Sequence, residues 1–140
     1  FLNPQLSQWY GFMKVAKLKS DYEIKNNFIY DLVIRFRYDI KLKDTLIHQY
    51  NKPKFGEIHG THYFCEWGGA EMLIKFADLI WYSDSITFDI LSNYYFEICK
   101  IGGFKQGIEP EYVWHAFCAK NNLDIYQTGR HWDFEINRKI

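Results

Sequence analysis

Apolar and polar positions change period several times along the chain, and each change marks an element. Trp9, Phe12, Met13 and Ala16 recur at helical spacing behind Asn3-Pro4, where Asn suits a cap and Pro a first helical position. The spacing predicts a long helix reaching Glu23 or Asn26. Tyr30 to Ile40 then reads as a strand. Its Leu32-Val33-Ile34 run is of the kind that hides inside a sheet, and Arg35, Arg37 and Asp39 alternate after it at the strand period and so share one face. From Lys41 to about Gly60 there is no clear period, and Pro53 and Gly56 intervene, which predicts a loop with a short helix near Leu46 to Tyr50.

His62 to Trp67 reads as a strand, Gly68-Gly69 as a turn, and Phe76 to Tyr82 as a second strand whose interior polarity is Asp78. Ser83-Asp84 caps a helix that carries Phe88, Leu91, Tyr95 and Ile98 on one face and stops at Gly102-Gly103. Glu109-Pro110-Glu111 opens the last helix, with Pro in the first turn and acids where the helix dipole favours them. Asn121-Asn122 ends it, Leu123 to Tyr126 reads as a strand, and Gly129 to Ile140 as a tail or lid. Helix, strand and polar strand end follow one another as in α/β proteins, whose ligands bind beyond the carboxyl ends of the strands. A single α/β domain over residues 1–140 is the economical arrangement.

Composition narrows the class. With 48% hydrophobic and 20% aromatic residues, 140 residues are ample for one core. Seventeen basic residues balance seventeen acidic ones, so no global field draws the chain to nucleic acid or to an anionic membrane, and an anionic ligand must be bound locally. No apolar run approaches the roughly 20 residues of a membrane span, and no signal region opens the chain, which predicts a cytoplasmic or peripheral protein. Cys65, Cys99 and Cys118 are an odd, sparse set that fits a reducing compartment; Cys99 and Cys118 fall among apolar neighbours and are expected to be core thiols.

Several side chains carry candidate chemistry. The planar forks of Arg35 and Arg37 suit phosphate oxygens. Asp78, inside an apolar stretch, must be hydrogen-bonded, paired or set in a site. Glu109 and Glu111 flank a helix start, where a carboxylate either caps the helix or takes a proton from an acceptor hydroxyl, with Glu111 the better placed. His59, His62 and Cys65 are of zinc-binding type, but no second pair at finger spacing completes a site. Neighbouring rings in Trp81-Tyr82 and Tyr94-Tyr95 point to different faces, so one of each pair is expected near the surface. The Gly68-Gly69 and Gly102-Gly103 pairs lack the spacing of a phosphate loop.

Four stretches carry a resemblance. They are Ser7-Gln8-Trp9-Tyr10, Tyr30-Asp31-Leu32-Val33-Ile34-Arg35-Phe36-Arg37-Tyr38-Asp39, Phe76-Ala77-Asp78-Leu79-Ile80-Trp81-Tyr82-Ser83 and Glu109-Pro110-Glu111-Tyr112-Val113-Trp114. In this order the chain resembles glycosyltransferases of viral, phage and bacterial glycan clusters with a GT-A-like, Rossmann-like mixed sheet flanked by helices. The resemblance implies transfer of a sugar from a nucleotide-sugar donor to a glycan, protein or other hydroxyl acceptor. It implies Asp39 beside the diphosphate and a divalent cation (Mn²⁺ or Mg²⁺), His131 as a late metal ligand, Arg35 and Arg37 on phosphate, and Asp78 and Glu111 on the sugars or as base. Many enzymes of this fold carry an Asp-x-Asp pair; here position 37 is Arg, so one acid of that pair is present. A complete domain of this kind has an earlier strand and helix, so the chain is expected to be a piece of a longer protein. Two other classes compete: a non-catalytic binding module on the same fold, and a metal-dependent hydrolase using Asp39, Glu57 and Glu66.

Overall fold

The computed structural model describes residues 4–37, 40–42, 52–65, 73–101, 110–130 and 134–136. Helix α1 (Pro4–Asn26) leads to β1 (Val33–Phe36) and β2 (Ile40–Leu42), then to β3 (Glu57–Cys65) and β4 (Leu73–Ser83). Helices α2 (Ser85–Ser92), α3 (Tyr94–Lys100) and α4 (Pro110–Lys120) follow, then β5 (Asp124–Arg130) and β6 (Phe134–Ile136). The protein is thus α/β, with a mixed four-stranded sheet ordered β1-β4-β3-β5 and a separate antiparallel ribbon of β2 with β6.

Within the main sheet β4 runs antiparallel to both β1 and β3, whereas β5 is parallel to β3. Strands β1, β3 and β5 therefore point the same way, β1 ending opposite Ile80 and β3 running on to Cys65 opposite Leu73. Register aligns Arg35 with Trp81, Trp81 with Gly60 and Gly60 with Gln127, so these four positions form one row across the sheet. Both neighbours of β3 shift register next to Thr61, and irregularity of this kind bends a sheet near its rim.

The core lies between one sheet face and the four helices. Trp9, Phe12 and Ala16 of α1 meet Phe88 and Leu91 of α2, Tyr94 and Ile98 of α3, and Trp114, Phe117 and Cys118 of α4, over Ile58 and Trp81 of the sheet. Its rings meet edge to face in most pairs, the arrangement the aromatic quadrupole favours. Trp9 against Tyr94 (4.6 Å, 80°) and Phe12 against Phe88 (4.9 Å, 72°) are examples.

Helix ends follow from the residue types found there. Asn27 and Asn122 take φ of 53° and 54°, the left-handed conformation that Asn tolerates best after Gly. They close α1 and α4, with Phe28 N–H donating to Glu23 O at 3.2 Å and Leu123 N–H to Cys118 O at 2.9 Å. Asp84 caps α2, its carboxylate accepting from Thr87 N–H at 2.7 Å. Thr87 Oγ1 in turn accepts from Gly56 N–H at 2.8 Å, and Gly56 O accepts from Asp124 N–H at 2.8 Å. One capping residue thus ties the 52–56 segment, α2 and the start of β5 together.

Several expectations are corrected. The helix expected from Asp84 to Gly102 is two helices separated at Asn93, and Tyr94 is buried where a continuous helical repeat selects Tyr95. Strand β3 begins at Glu57, inside the stretch read as loop, because Ile58 fills the core. Strand β1 stops at Phe36, short of Asp39. Residues 41–42 and 134–136, read as loop and tail, belong to the paired β2 and β6, and Ile40, read as the end of the first strand, opens β2. Both Trp81 and Tyr82 are buried, so neither approaches the surface. Cys99 is exposed on α3, whereas Cys118 is buried as expected. The short helix near Leu46 to Tyr50 and the Gly68-Gly69 turn lie outside the described residues.

Candidate functional site

Arg35 is the anchor of the strand that carries the candidate residues. Lying opposite Trp81 in the β1–β4 register, its guanidinium faces the helices, 5.4 Å from the Trp9 ring centroid and 6.0 Å from that of Trp81. A planar, weakly hydrated cation suits indole faces, and this placement braces β1 against α1 and β4. The arginine expected on phosphate is thus committed on its faces to two tryptophans.

Arg37 follows the last β1 residue, Phe36, which pairs with Ile80. Asp78 precedes Ile80 by two residues on β4, in the irregular stretch between the Gly60–Trp81 and His62–Phe76 pairs. Backbone register therefore places Arg37 and Asp78 on neighbouring strands, on the side toward which β1, β3 and β5 run; Asp78 is mid-strand, since β5 ends at Arg130 opposite His62 and β3 runs on to Cys65, opposite Leu73, at the far end of the sheet. Helix α4 runs back from that end: Cys118 O holds Leu123 N–H just before β5, while Trp114 packs on Trp81 at 6.1 Å, farther along the sheet. Glu111, three residues before Trp114, is the next step in that direction. Arg37 and Asp78 thus lie beyond the Arg35–Trp81–Gly60–Gln127 row on the side toward which β1 runs, and Glu111 is in the first turn of α4. Asp39 and His131 lie outside the described residues, as does Glu66.

A divalent ion needs several oxygen or nitrogen ligands converging on one point. Among the described residues no group of three His, Cys, Asp or Glu does so, and the two candidate ligands Asp39 and His131 fall outside them. The described residues thus supply no ligand set.

His59, considered for zinc, has its ring stacked between Tyr82 and Tyr126, each 5.1 Å away between centroids. Its Nε2 lies 3.1 Å from Glu57 Oε2. Glu57 also accepts from Lys54 N–H at 3.0 Å, and that bond, followed by the contact with His59, holds its carboxyl below the usual range. The carboxylate of the hydrolase alternative is therefore bound to its own strand and loop.

A second polar centre escaped the sequence reading. On α1 the buried stripe Trp9, Phe12, Ala16 continues to Lys19 and Glu23, both nearly inaccessible. Lys19 Nζ donates to Glu23 Oε2 at 2.8 Å, to Ser85 Oγ and to Asp89 Oδ2 at 3.2 Å. Ser85 Oγ donates to Glu23 Oε1, which also accepts from Tyr30 N–H at 2.8 Å. Burial pushes the Glu23 carboxyl up, but the hydrogen bonds from Lys19, Ser85 and Tyr30, with the Lys19 charge, outweigh it and hold the group below its usual value. The signal was present in the sequence: a Lys and a Glu four residues apart on the apolar stripe of a helix must be paired if that stripe is buried.

No helix among the described residues is long and apolar enough to cross a membrane. No family model, no curated protein and no solved structure matches this chain.

Proposed function

We propose that the chain is a GT-A-like domain of a glycosyltransferase that moves a sugar from a nucleotide-sugar donor to a hydroxyl acceptor on a glycan or protein. One observation supports this reading above others: the four stretches that carry the resemblance, scattered over more than a hundred residues, meet around one cluster. Trp9 of the first stacks on Trp114 of the fourth at 5.0 Å, and Arg35 of the second lies over Trp9 and over Trp81 of the third. On this proposal Arg37, Asp78 and Glu111 belong to a site on the side toward which β1, β3 and β5 run, where ligands of α/β proteins bind.

In this reading Arg37 and Arg35 offset the charge of the donor diphosphate as it leaves, Arg35 from its seat on the two indoles. Asp39 stands beside the diphosphate, Asp78 contacts a sugar, and Glu111 takes the proton of the acceptor hydroxyl. A divalent cation held by Asp39 and His131 is part of the proposal, and when bound it would supply further charge compensation for the leaving diphosphate.

The test is calorimetric titration of the chain with uridine, guanosine and cytidine diphosphates and their sugars, with and without Mn²⁺, beside Asp39→Ala and Arg37→Ala. Binding to one nucleotide that weakens at least tenfold in both variants is expected. A folded chain that binds none of them contradicts the reading and favours the non-catalytic module.

A further inference from the structure

Helix α1 carries two apolar stripes, and the core uses one of them. Trp9, Phe12 and Ala16, continued by Lys19 and Glu23, face the sheet and the other helices. At about 100° per residue, Gly11, Val15, Leu18 and Tyr22 fall on a second stripe, roughly 110° around the helix from the first. Its large members stand open: Val15 is 58%, Leu18 69% and Tyr22 54% exposed. A Cβ added at Gly11 would meet no atom within 4 Å, so the stripe begins in a hollow. Single exposed apolar residues need no explanation, but three in line on one helix face mark a surface that gains from being covered.

The spacing says what covers it. Intervals of four, three and four residues are those of alternating d and a positions in a coiled coil, and the surface they make fits a second helix laid along it. The stripe is complementary to itself in the antiparallel sense. With a two-fold axis between Val15 and Leu18, Val15 of one copy lies beside Leu18 of the other, and each Tyr22 ring enters the hollow at Gly11 of the second copy. The charges agree with this direction. Lys14 and Asp21 both border the stripe on the side away from the core, and antiparallel pairing sets Lys14 of one copy beside Asp21 of the other, twice. Asp21 is held only by an exposed contact with Lys17 at 3.4 Å, and Lys14 lies over the Tyr10 ring at 5.3 Å. A parallel pairing would instead set Tyr22 against Tyr22 and Gly11 against Gly11, crowding one end and leaving the other empty.

We propose that Gly11, Val15, Leu18 and Tyr22 form a self-association surface, on which two copies of the chain pair through antiparallel α1 helices. Gly11 to Tyr22 spans about 18 Å of helix, short for a permanent interface, so the dissociation constant is on the order of 10–100 µM. The surface uses none of the residues of the transferase reading and stands independently of it.

Sedimentation velocity of the chain from about 5 to about 500 µM measures the association. A dimer that saturates without larger species is expected, and Leu18→Glu should abolish it over this range with the thermal melt unchanged. Gly11→Leu separates a fitted surface from non-specific association: the filled hollow excludes Tyr22 and should weaken the dimer about tenfold, although the variant is the more apolar chain. Lys14→Glu and Asp21→Lys should each weaken it about fivefold at low salt, and the combined variant should recover most of that loss. Should Leu18→Glu not fold, Gly11→Leu and the charge exchange decide the matter. A chain that stays monomeric throughout overturns the proposal and turns the stripe toward a helix of another protein. A dimer that persists in Leu18→Glu, or that tightens in Gly11→Leu, overturns it as well.

Discussion

Arg35 and Trp9 are joined across the sheet–helix boundary, guanidinium carbon to ring centroid 5.4 Å, and this contact fixes β1 against α1. Because Trp81 lies on the other side at 6.0 Å, the cation is held by two indoles, and its chemistry cannot be replaced by a compact ammonium. Arg35→Lys is expected to destabilise the fold by about 1 kcal/mol and Arg35→Ala by about 2 kcal/mol. Urea denaturation followed by tryptophan fluorescence measures both, and an Arg35→Lys chain as stable as the parent contradicts the assignment.

Lys19 is held by Glu23, Ser85 and Asp89 with little access to water. Removing one partner of such a group leaves the other uncompensated, so Lys19→Met should cost about 3 kcal/mol. The double variant Lys19→Met, Glu23→Gln should recover part of that loss. A double-mutant cycle in which the two effects simply add would show that the pair is not coupled.

The same carboxylate makes stability depend on pH. Glu23 is held below its ordinary value of 4.5, so the folded state binds its proton less readily than the unfolded chain does. Its contribution is therefore fully present above about pH 4.5 and is lost as pH falls through the lower, folded value. Unfolding free energy measured from pH 6 to pH 3 should fall less steeply in Glu23→Gln than in the parent, and equal slopes would exclude Glu23 as a source.

Gly56 has φ of 85°, and a Cβ there would come 3.5 Å from Asn122 O, an ordinary contact. Gly56→Ala is thus expected to cost about 1–2 kcal/mol through backbone conformation rather than collision. Thr87→Val, which removes the acceptor of Gly56 N–H, should cost about 1–2 kcal/mol as well. Thermal melts of the two single variants and the double variant test whether they act on one linkage, in which case the combined loss is smaller than the sum.

The thiols should differ sharply. Burial pushes Cys118 up to about 12, while Cys99 is exposed on α3. Alkylation mapped by peptide analysis should label Cys99 in the native chain and Cys118 only after unfolding. Native labelling of Cys118 would mean that α4 opens locally.

How much of this was legible depends on the range of the interaction. Local signals worked: Pro4 at the start of α1, Asp84 before α2, Pro110 in α4 and the paired asparagines at two helix ends all mark real boundaries, because caps and left-handed turns are set by neighbouring residues. What failed depended on distant partners. Ile58 belongs to a strand because the core needs it, and Tyr94 rather than Tyr95 is buried because its ring packs on Trp9 and Trp114. Val33 to Phe36 was read correctly as strand, but Arg37 follows the last strand residue, and the seat of Arg35 on two indoles follows from where α1 and β4 come to rest. Lys19 and Glu23 were visible as charges on an apolar stripe, whereas their partners Ser85 and Asp89 lie more than sixty residues away.

The most direct test of the central claim is to locate a bound nucleotide sugar by following backbone amides in the labelled chain, using the diphosphate sugar that titrates most tightly. The account predicts the largest shifts at Arg37, Asp78 and Glu111, on the side toward which β1, β3 and β5 run, with Asn27 and Ile86 on the opposite side unmoved. Shifts confined to Asn27, Phe28 and Ile86, or none at all in a folded chain, would contradict it.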